Sequence, residues 1–428
     1  MDTQNFQPEQ DEMKQKPEKS EFRHGIAVGM LIMLLVTAVA ATMISAFRER
    51  DVLPEKTVQD SEKESTQDVI SDENVKEKAG VIAEILDQYY YEEIDEEALV
   101  DGIYAGMVDG IGDPYTCYYT AEEYQSMTET TSGTYYGIGA VLTQDMKTNV
   151  VTILHVYPGT PAEEAGVRDG DIIVKVDDVE GDSMELSELV KHIKGEAGTT
   201  VHLQLLREGE EEYQEFDVER RQIDIPTVEY QMLEGNIGLI QISEFSENTP
   251  EQFNTALEDL QGQGMSSMIV DLRNNPGGVL QAVCEMLDQI LPEGTLVYTE
   301  DKYGSRSDYT SDENCLDIPM TVLVNENSAS ASEIFAGAIK DYDYGTLIGT
   351  TTFGKGIVQS IIPLEDGSAV KVTMAKYFTP KGNYIHGKGI EPDIELEYEY
   401  QGDSSADYDP MQDNQVLKAI ETLKNINK

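Results

Sequence analysis

Met268-Ile269-Val270-Asp271-Leu272-Arg273-Asn274-Asn275-Pro276-Gly277-Gly278 is the stretch that decides the fold. It opens as a short apolar run of buried-strand type and ends in an Asn-Asn-Pro-Gly-Gly turn, after which a helix runs through Ile290. The same order recurs on both sides. Upstream, Ile237-Gly238-Leu239-Ile240-Gln241-Ile242 is a strand, and Thr249-Pro250 starts a helix reaching Leu260. Downstream, the strand Met320 to Asn325 runs into a turn at Ser330, before a helix from Ile334 to Asp341. Strands alternating with helices predict an α/β core, with reactive residues at the strand ends.

Two segments near those ends carry chemistry. Ser330 lies in Asn327-Ser328-Ala329-Ser330-Ala331-Ser332-Glu333, and Lys355 in Thr352-Phe353-Gly354-Lys355-Gly356-Ile357-Val358-Gln359. A serine needs a base to become a nucleophile, and a neutral lysine can be that base. The lysine segment is glycine-flanked and almost apolar, so burial there would lower the lysine pKa. Ser330-x-x-Glu333 also matches a helix capping box, a structural role that competes with the nucleophile. The two coexist where a helix N-terminus favours developing negative charge. The Asn275-Pro276-Gly277-Gly278 glycines are either a tight turn needing positive φ or donors of backbone N–H to an oxyanion, together with the N–H of Ala331. No histidine sits in a nucleophile motif, HExxH and GxSxG are absent, and Gly354-Lys355-Gly356 lacks the P-loop pattern.

Between Gly133 and about Glu208 the pattern changes. Strands are expected at Tyr136 to Val141, Val150 to Val156 and Val201 to Leu206, with a short helix at Ala162 to Ala165 and another through Leu186, Leu189, Val190 and Ile193. This order, with Ala-Gly-Val-Arg-Asp-Gly-Asp-Ile-Ile at 165–173, resembles a PDZ domain. Such a domain takes a peptide as an added strand and holds its carboxylate on backbone N–H groups. Here the carboxylate loop would be Tyr136, Gly137, Ile138, Gly139 and Ala140, with Leu189 and Ile193 on the peptide-facing helix. Arg168 either pairs with a carboxylate across the domain interface or is a solvated charge.

The two chemical segments resemble the active site of the carboxyl-terminal processing peptidases, also called tail-specific proteases. The family's Ser-Lys dyad falls on Ser330 and Lys355, its supporting glutamine on Gln359, and its oxyanion-hole glycine on Gly277 or Gly278. A helical or tight-turn spacing would bring the Gln359 amide near the lysine. Asp113-Pro114-Tyr115-Thr116, Lys376 to Asn383 and Ile385 to Asp393 match the family as well. The resemblance covers roughly residues 75–425. It implies a crotonase/ClpP-like α/β protease core with an inserted PDZ domain, and a serine endopeptidase with no cofactor and no metal. It implies protein or peptide substrates with free C-termini. The expected organisation is a tail at 1–24, a membrane helix at 25–47 and a linker at 48–74. Then come a helical region at 75–132, the PDZ domain at 133–210, the protease core at 211–400 and an acidic linker and helix at 401–428. The helical region at 75–132 serves either dimerisation or local framing of the protease, and the terminal helix packs on the N-terminal helices or on a second subunit of a homodimer.

Composition sets the remaining bounds. The 428 residues carry Lys+Arg 30 against Asp+Glu 82, a net charge of −52. Such a surface repels nucleic acid and anionic headgroups. The three cysteines, Cys117, Cys284 and Cys315, form no framework or zinc pattern. Gly25 to Phe47 has no charged residue and is long enough to cross a bilayer, although Ala38-Val39-Ala40 offers a cleavage site. An uncleaved signal anchor is expected, with the catalytic part outside the cytoplasm in a bacterial envelope. A silent PDZ scaffold and a crotonase-like thioester enzyme are the rivals. An intact Ser330 and Lys355 argue against the first, and the PDZ insert argues against the second.

Overall fold

Apolar residues on both faces of a strand call for cover on both faces of its sheet, and Ser267–Asp271 and Met320–Val324 are buried throughout. They lie in a six-stranded sheet ordered Val228–Leu233, Ile237–Ile242, Ser267–Asp271, Met320–Val324, Gly345–Gly349 and Ile394–Glu395. The first pair is antiparallel and the rest are parallel. On one face, Met268, Val270 and Val322 pack with the helices Thr249–Gly262, Leu280–Ile290 and Ala331–Asp341. On the other, Ile269, Leu323 and Ile348 pack with Val416, Ala419, Ile420 and Leu423 of the helix Asn414–Ile426. That terminal helix therefore covers the back of the core sheet, rather than the N-terminal helices or a second subunit. Arg273 fastens it, donating to both carboxylate oxygens of Asp271 (2.9 and 2.5 Å) and to Asp413 (2.8 Å) and Gln415 (2.9 Å).

A second sheet of five strands was not legible beforehand. Cys117–Tyr119, Ala369–Phe378, Gly294–Asp301 and Arg306–Ser311 run in that order, and Ile357–Pro363 also pairs with Ala369–Phe378. The PDZ domain is a sheet of Ala140–Gln144, Val151–Val156, Ile172–Val176, Thr200–Leu206 and Gln214–Glu219, covered by the helix Leu186–Ile193. The expected continuous strand from Tyr136 to Val141 is broken. Thr134–Gly137 pairs with Arg221–Asp224, and Ala140–Gln144 pairs with Val151–Val156. Gly139 (φ 86°) makes the bend between them, and a Cβ there would lie 2.3 Å from Thr160 Cβ.

The computed structural model describes residues 66–403 and 407–426. The apolar segment 25–47 lies outside the described residues, among which no helix is long and apolar enough to cross a membrane. Of the described residues, 66–94 form a unit separate from the rest. In it, Asp72 caps the helix Glu73–Tyr89 by accepting from Asn74 N (2.8 Å), and no residue of that helix is buried. In the larger unit the helix Glu96–Asp109 belongs to the expected helical region. All three cysteines are free.

Candidate active site

Three loops leave the carboxyl ends of adjacent parallel strands, where α/β sites form. They are the turn after Ser267–Asp271, the turn after Met320–Val324 and the segment after Gly345–Gly349. Asn275, fully buried, stitches the first to the second. Its carbonyl accepts from Ala329 N (3.0 Å) and Ser332 Oγ (2.9 Å), while its side-chain amide donates to Ile242 O (2.8 Å). Packing is so close that a Cβ at Gly277 would lie 2.8 Å from both Ala331 N and Ser330 Cβ.

Ser330 stands at the N-terminus of the helix Ala331–Asp341 with φ 54° and ψ −112°, a conformation that non-glycine residues adopt only when their surroundings enforce it. The capping-box geometry is present, but its hydroxyl half is loose. Glu333 Oε2 accepts from Ser330 N (2.9 Å), Glu333 N donates to the Ser330 carbonyl (2.9 Å), and the Ser330 hydroxyl makes no cap hydrogen bond. Backbone and carboxylate thus share the capping, and the hydroxyl takes no part in it.

Glu333 joins the second loop to the third. Its fully buried carboxylate accepts from Thr352 Oγ1 (2.6 Å), Gly354 N (2.7 Å) and Lys355 N (2.8 Å), as well as Ser330 N. A carboxylate offers about four lone-pair sites, and donors fill all of them. Sequence reading saw only a capping partner here. The missed signal was a glutamate that must be buried if the apolar helix around it is buried. Gly354 and Gly356 let the third loop approach residues 385–390: a Cβ at Gly354 would lie 2.8 Å from Gly389 N, and one at Gly356 2.7 Å from His386 N.

Lys355 and Ser330 face one cavity of about 410 Å³. Burial, and then the positive charge of Lys371 in the same cavity wall, push the Lys355 ammonium below its ordinary pKa, while Glu333 opposes this. Lys355 Nζ lies 5.2 Å from the centre of the Tyr115 ring, so the Asp-Pro-Tyr-Thr motif reaches the site. Lys371 itself donates to Tyr119 Oη (2.7 Å). Gln359 also lines the cavity, but from the strand Ile357–Pro363 rather than from a helix or tight turn. A bulge between Val358 and Gln359 resets the alternation there, and Gln359 Nε2 is buried without a hydrogen-bond partner among the described residues.

The two glycines of the first turn separate in this structure. Gly277 N donates to Asn275 Oδ1 (2.8 Å), whereas Gly278 N and Ala331 N are bonded to no acceptor among the described residues. Gly278 and Ala331 line the cavity and Gly277 does not. The remaining wall is mainly apolar, with Met127, Val279, Leu280, Ile334 and Ile361, and burial raises the carboxyl pKa of Glu244 there.

In the PDZ domain a groove of about 310 Å³ runs between Ala140–Gln144 and the helix Leu186–Ile193. Gly137, Ile138, Ala140 and Ile193 line it. Leu189 does not. It is fully buried in the PDZ core, and the helix presents Leu186, Val190 and Ile193 instead. Tyr136 is half exposed and outside the groove, where its neighbour Tyr135 takes the place. Gly139 supplies the bend without lining the groove. The Arg168 side chain is exposed with no ion-pair partner among the described residues, as a solvated charge would be.

Residues 236–396 match the model of peptidase family S41, residues 152–207 a PDZ domain and residues 33–123 the N-terminal domain of the activating protease CtpB. The chain is 39% identical to the carboxyl-terminal-processing protease of Synechocystis over 68% of this chain and 69% of that protein. It is 35% identical to the carboxy-terminal processing protease CtpA of Bacillus subtilis, over 86% and 77% respectively. With a probable CtpA-like serine protease of Staphylococcus epidermidis it shares 36% identity, over 74% of this chain and 65% of that one.

Proposed function

The chain belongs to peptidase family S41 and to its carboxyl-terminal processing proteases, and on that premise we propose that it cleaves protein tails with Ser330 as nucleophile and Lys355 as base. One observation carries this reading. Ser330, the pKa-lowered Lys355 and two unbonded N–H groups, of Gly278 and Ala331, share one cavity. Neutral Lys355 takes the proton as Ser330 Oγ attacks the scissile carbonyl. Gly278 N and Ala331 N then donate to the oxyanion, with the helix N-terminus behind them. The Lys355 ammonium returns the proton to the leaving amine. Water hydrolyses the ester with Lys355 again as base. Gln359, whose buried Nε2 has no hydrogen-bond partner among the described residues, orients the lysine or the substrate chain from the wall of the same cavity. The apolar wall suits an apolar side chain beside the cleaved bond. The PDZ groove captures the free C-terminus and so raises the local concentration of the tail.

The test is to incubate the full chain with an unfolded protein ending in an apolar free C-terminus, and with the same substrate carrying a C-terminal amide. Cleavage of the first, with much slower cleavage of the second, is the expected result by mass spectrometry. Tail binding without cleavage under all conditions would replace the enzyme by a scaffold.

The lysine pKa gives a pH prediction. Only the neutral amine is a base, so kcat/KM rises with pH as Lys355 loses its proton. Replacing Lys371 with methionine removes a like charge, stabilises the Lys355 ammonium and moves the acid limb of the profile to higher pH. An unmoved limb, or one moved to lower pH, would remove Lys371 from the account.

The uncharged segment 25–47 supports a membrane anchor, with the peptidase facing outward. Retention of the full chain in membranes washed with alkaline carbonate, and its digestion by protease added outside, test both points. The apolar side chains Val75, Val81, Ile82 and Ile85, all exposed on the helix Glu73–Tyr89, support pairing of two copies. A monomeric mass by light scattering in detergent would exclude it.

A further inference from the structure

Tyr115 meets Lys355 without lining the cavity that Lys355 shares with Ser330. We propose that the face of the Tyr115 ring is the partner of the Lys355 ammonium, a positioning residue that steadies the charge each time Lys355 takes a proton. The inference rests on the reading of Lys355 as the base of Ser330.

Lys355 Nζ lies over the Tyr115 ring, 5.2 Å from its centre, within the reach of a cation–π contact. The turn that carries the ring is tied to the core. Asp113 accepts from Tyr115 N (3.1 Å), Thr116 Oγ1 (2.6 Å) and Thr373 Oγ1 (2.6 Å), and Thr373 N donates to Thr116 Oγ1 (3.1 Å). Thr373 belongs to the strand Ala369–Phe378, so the turn is fixed to a wall of the site. His386 meets the Tyr115 ring edge-on, with centroids 6.1 Å apart. Its Nδ1 accepts from Gly356 N (3.3 Å), the residue after Lys355. The ring and the backbone of the lysine loop therefore share one support.

The kind of partner matters. Although the chain is rich in acidic residues, no carboxylate is in ion-pair contact with Lys355 Nζ among the described residues. A carboxylate there would favour the ammonium strongly and cost the lysine its basicity. A ring face attracts the ammonium more weakly, through its quadrupole, and leaves the amine free to lose its proton. The attraction is small while Lys355 is neutral and grows as the Ser330 proton arrives, so it favours the transition state over the ground state. Among the charged neighbours, Glu333 acts in the same sense and Lys371 in the opposite one. Glu244 and Tyr377 line the same cavity, and His386 borders the lysine loop.

Two variants of nearly equal shape test this in the full chain. Tyr115→Phe keeps the ring face, whereas trifluorophenylalanine at position 115 keeps the ring but strips its negative face. The other groups around Lys355 stay unchanged in both. The pH profile of cleavage is read on an unfolded protein with an apolar free C-terminus. The Phe variant should keep the parental acid limb and a rate within about twofold. Without the negative face the ammonium is less stabilised, the Lys355 pKa falls, and the acid limb should move to lower pH by about half a unit. This is opposite to the shift expected of Lys371→Met. On the alkaline plateau kcat should fall about threefold with KM unchanged. An acid limb that stays in place or moves to higher pH in the fluorinated variant overturns the proposal. So does the same shift in Tyr115→Phe, which would assign the effect to the hydroxyl. Parental turnover by Lys355→Met would instead defeat the reading of Lys355 as base, and the proposal would fall with it.

Discussion

Ser330→Ala is expected to lower kcat/KM on an unfolded tail substrate by roughly 10⁴-fold, the scale of losing a nucleophile from a covalent mechanism. Its fold should survive. Replacing a capping serine ordinarily costs about 1 kcal/mol, but the Ser330 hydroxyl makes no cap hydrogen bond. The capping contacts run through the Glu333 carboxylate to Ser330 N and through Glu333 N to the Ser330 carbonyl. Alanine keeps both, so stability should stay within about 0.5 kcal/mol of the parent. Lys355→Met should be comparably inactive, and the double variant should be little worse than either single one, since base and nucleophile act in one step. Rates by mass spectrometry and denaturant unfolding of the same samples decide the matter. Substantial turnover by Ser330→Ala would end the assignment.

Glu333→Gln should damage both stability and rate. The buried carboxylate receives four hydrogen bonds, from Ser330 N, Thr352 Oγ1, Gly354 N and Lys355 N. An amide of the same shape replaces one acceptor oxygen with an NH₂ group, which then faces two donors. Breaking up a buried network of this kind costs about 3 kcal/mol. The same change loosens the tie between the Ser330 turn and the Lys355 loop. A shift of roughly 1 Å between reacting groups costs about 100-fold in rate, so kcat should fall by that order with KM nearly unchanged. Glu333→Asp, which keeps the charge on a shorter arm, should recover more stability than rate. A glutamine variant with parental kcat and unfolding midpoint would show that the Glu333 bridge positions nothing.

Much of the molecule was readable because local rules agreed with the global fold. The strands at 237–242, 268–271 and 320–324 are apolar on both faces, and the helices after them begin and end near the positions that periodicity and turn residues indicate. Less was readable where the outcome depended on which face of an element met the core. Leu189 and Val190 are adjacent on one amphipathic helix, and spacing cannot tell which of them faces the groove. The packing against Val151, Ile153 and Leu203 turns Leu189 inward. A single bulge at Val358 and Gln359 likewise sets where the glutamine points, and bulges leave no firm mark on an alternating sequence.

The sequence by itself determined the α/β core, the PDZ insert and the pairing of Ser330 with Lys355 as candidate chemistry. The core rests on periodicity and glycine punctuation, and the PDZ insert and the pairing of Ser330 with Lys355 on motifs that resemble those of known families, all local properties of the chain. The tertiary structure decided which groups are free to act. Asn275 engages the Gly277 N–H and leaves that of Gly278 open; Glu333 takes over the capping and leaves the Ser330 hydroxyl loose. It also laid the terminal helix on the back of the core sheet and brought Tyr135 to the wall of the PDZ groove. The physical reason is common to all four. A polar group is available only when no partner distant in sequence has claimed it, and a face is buried only when another element arrives to cover it.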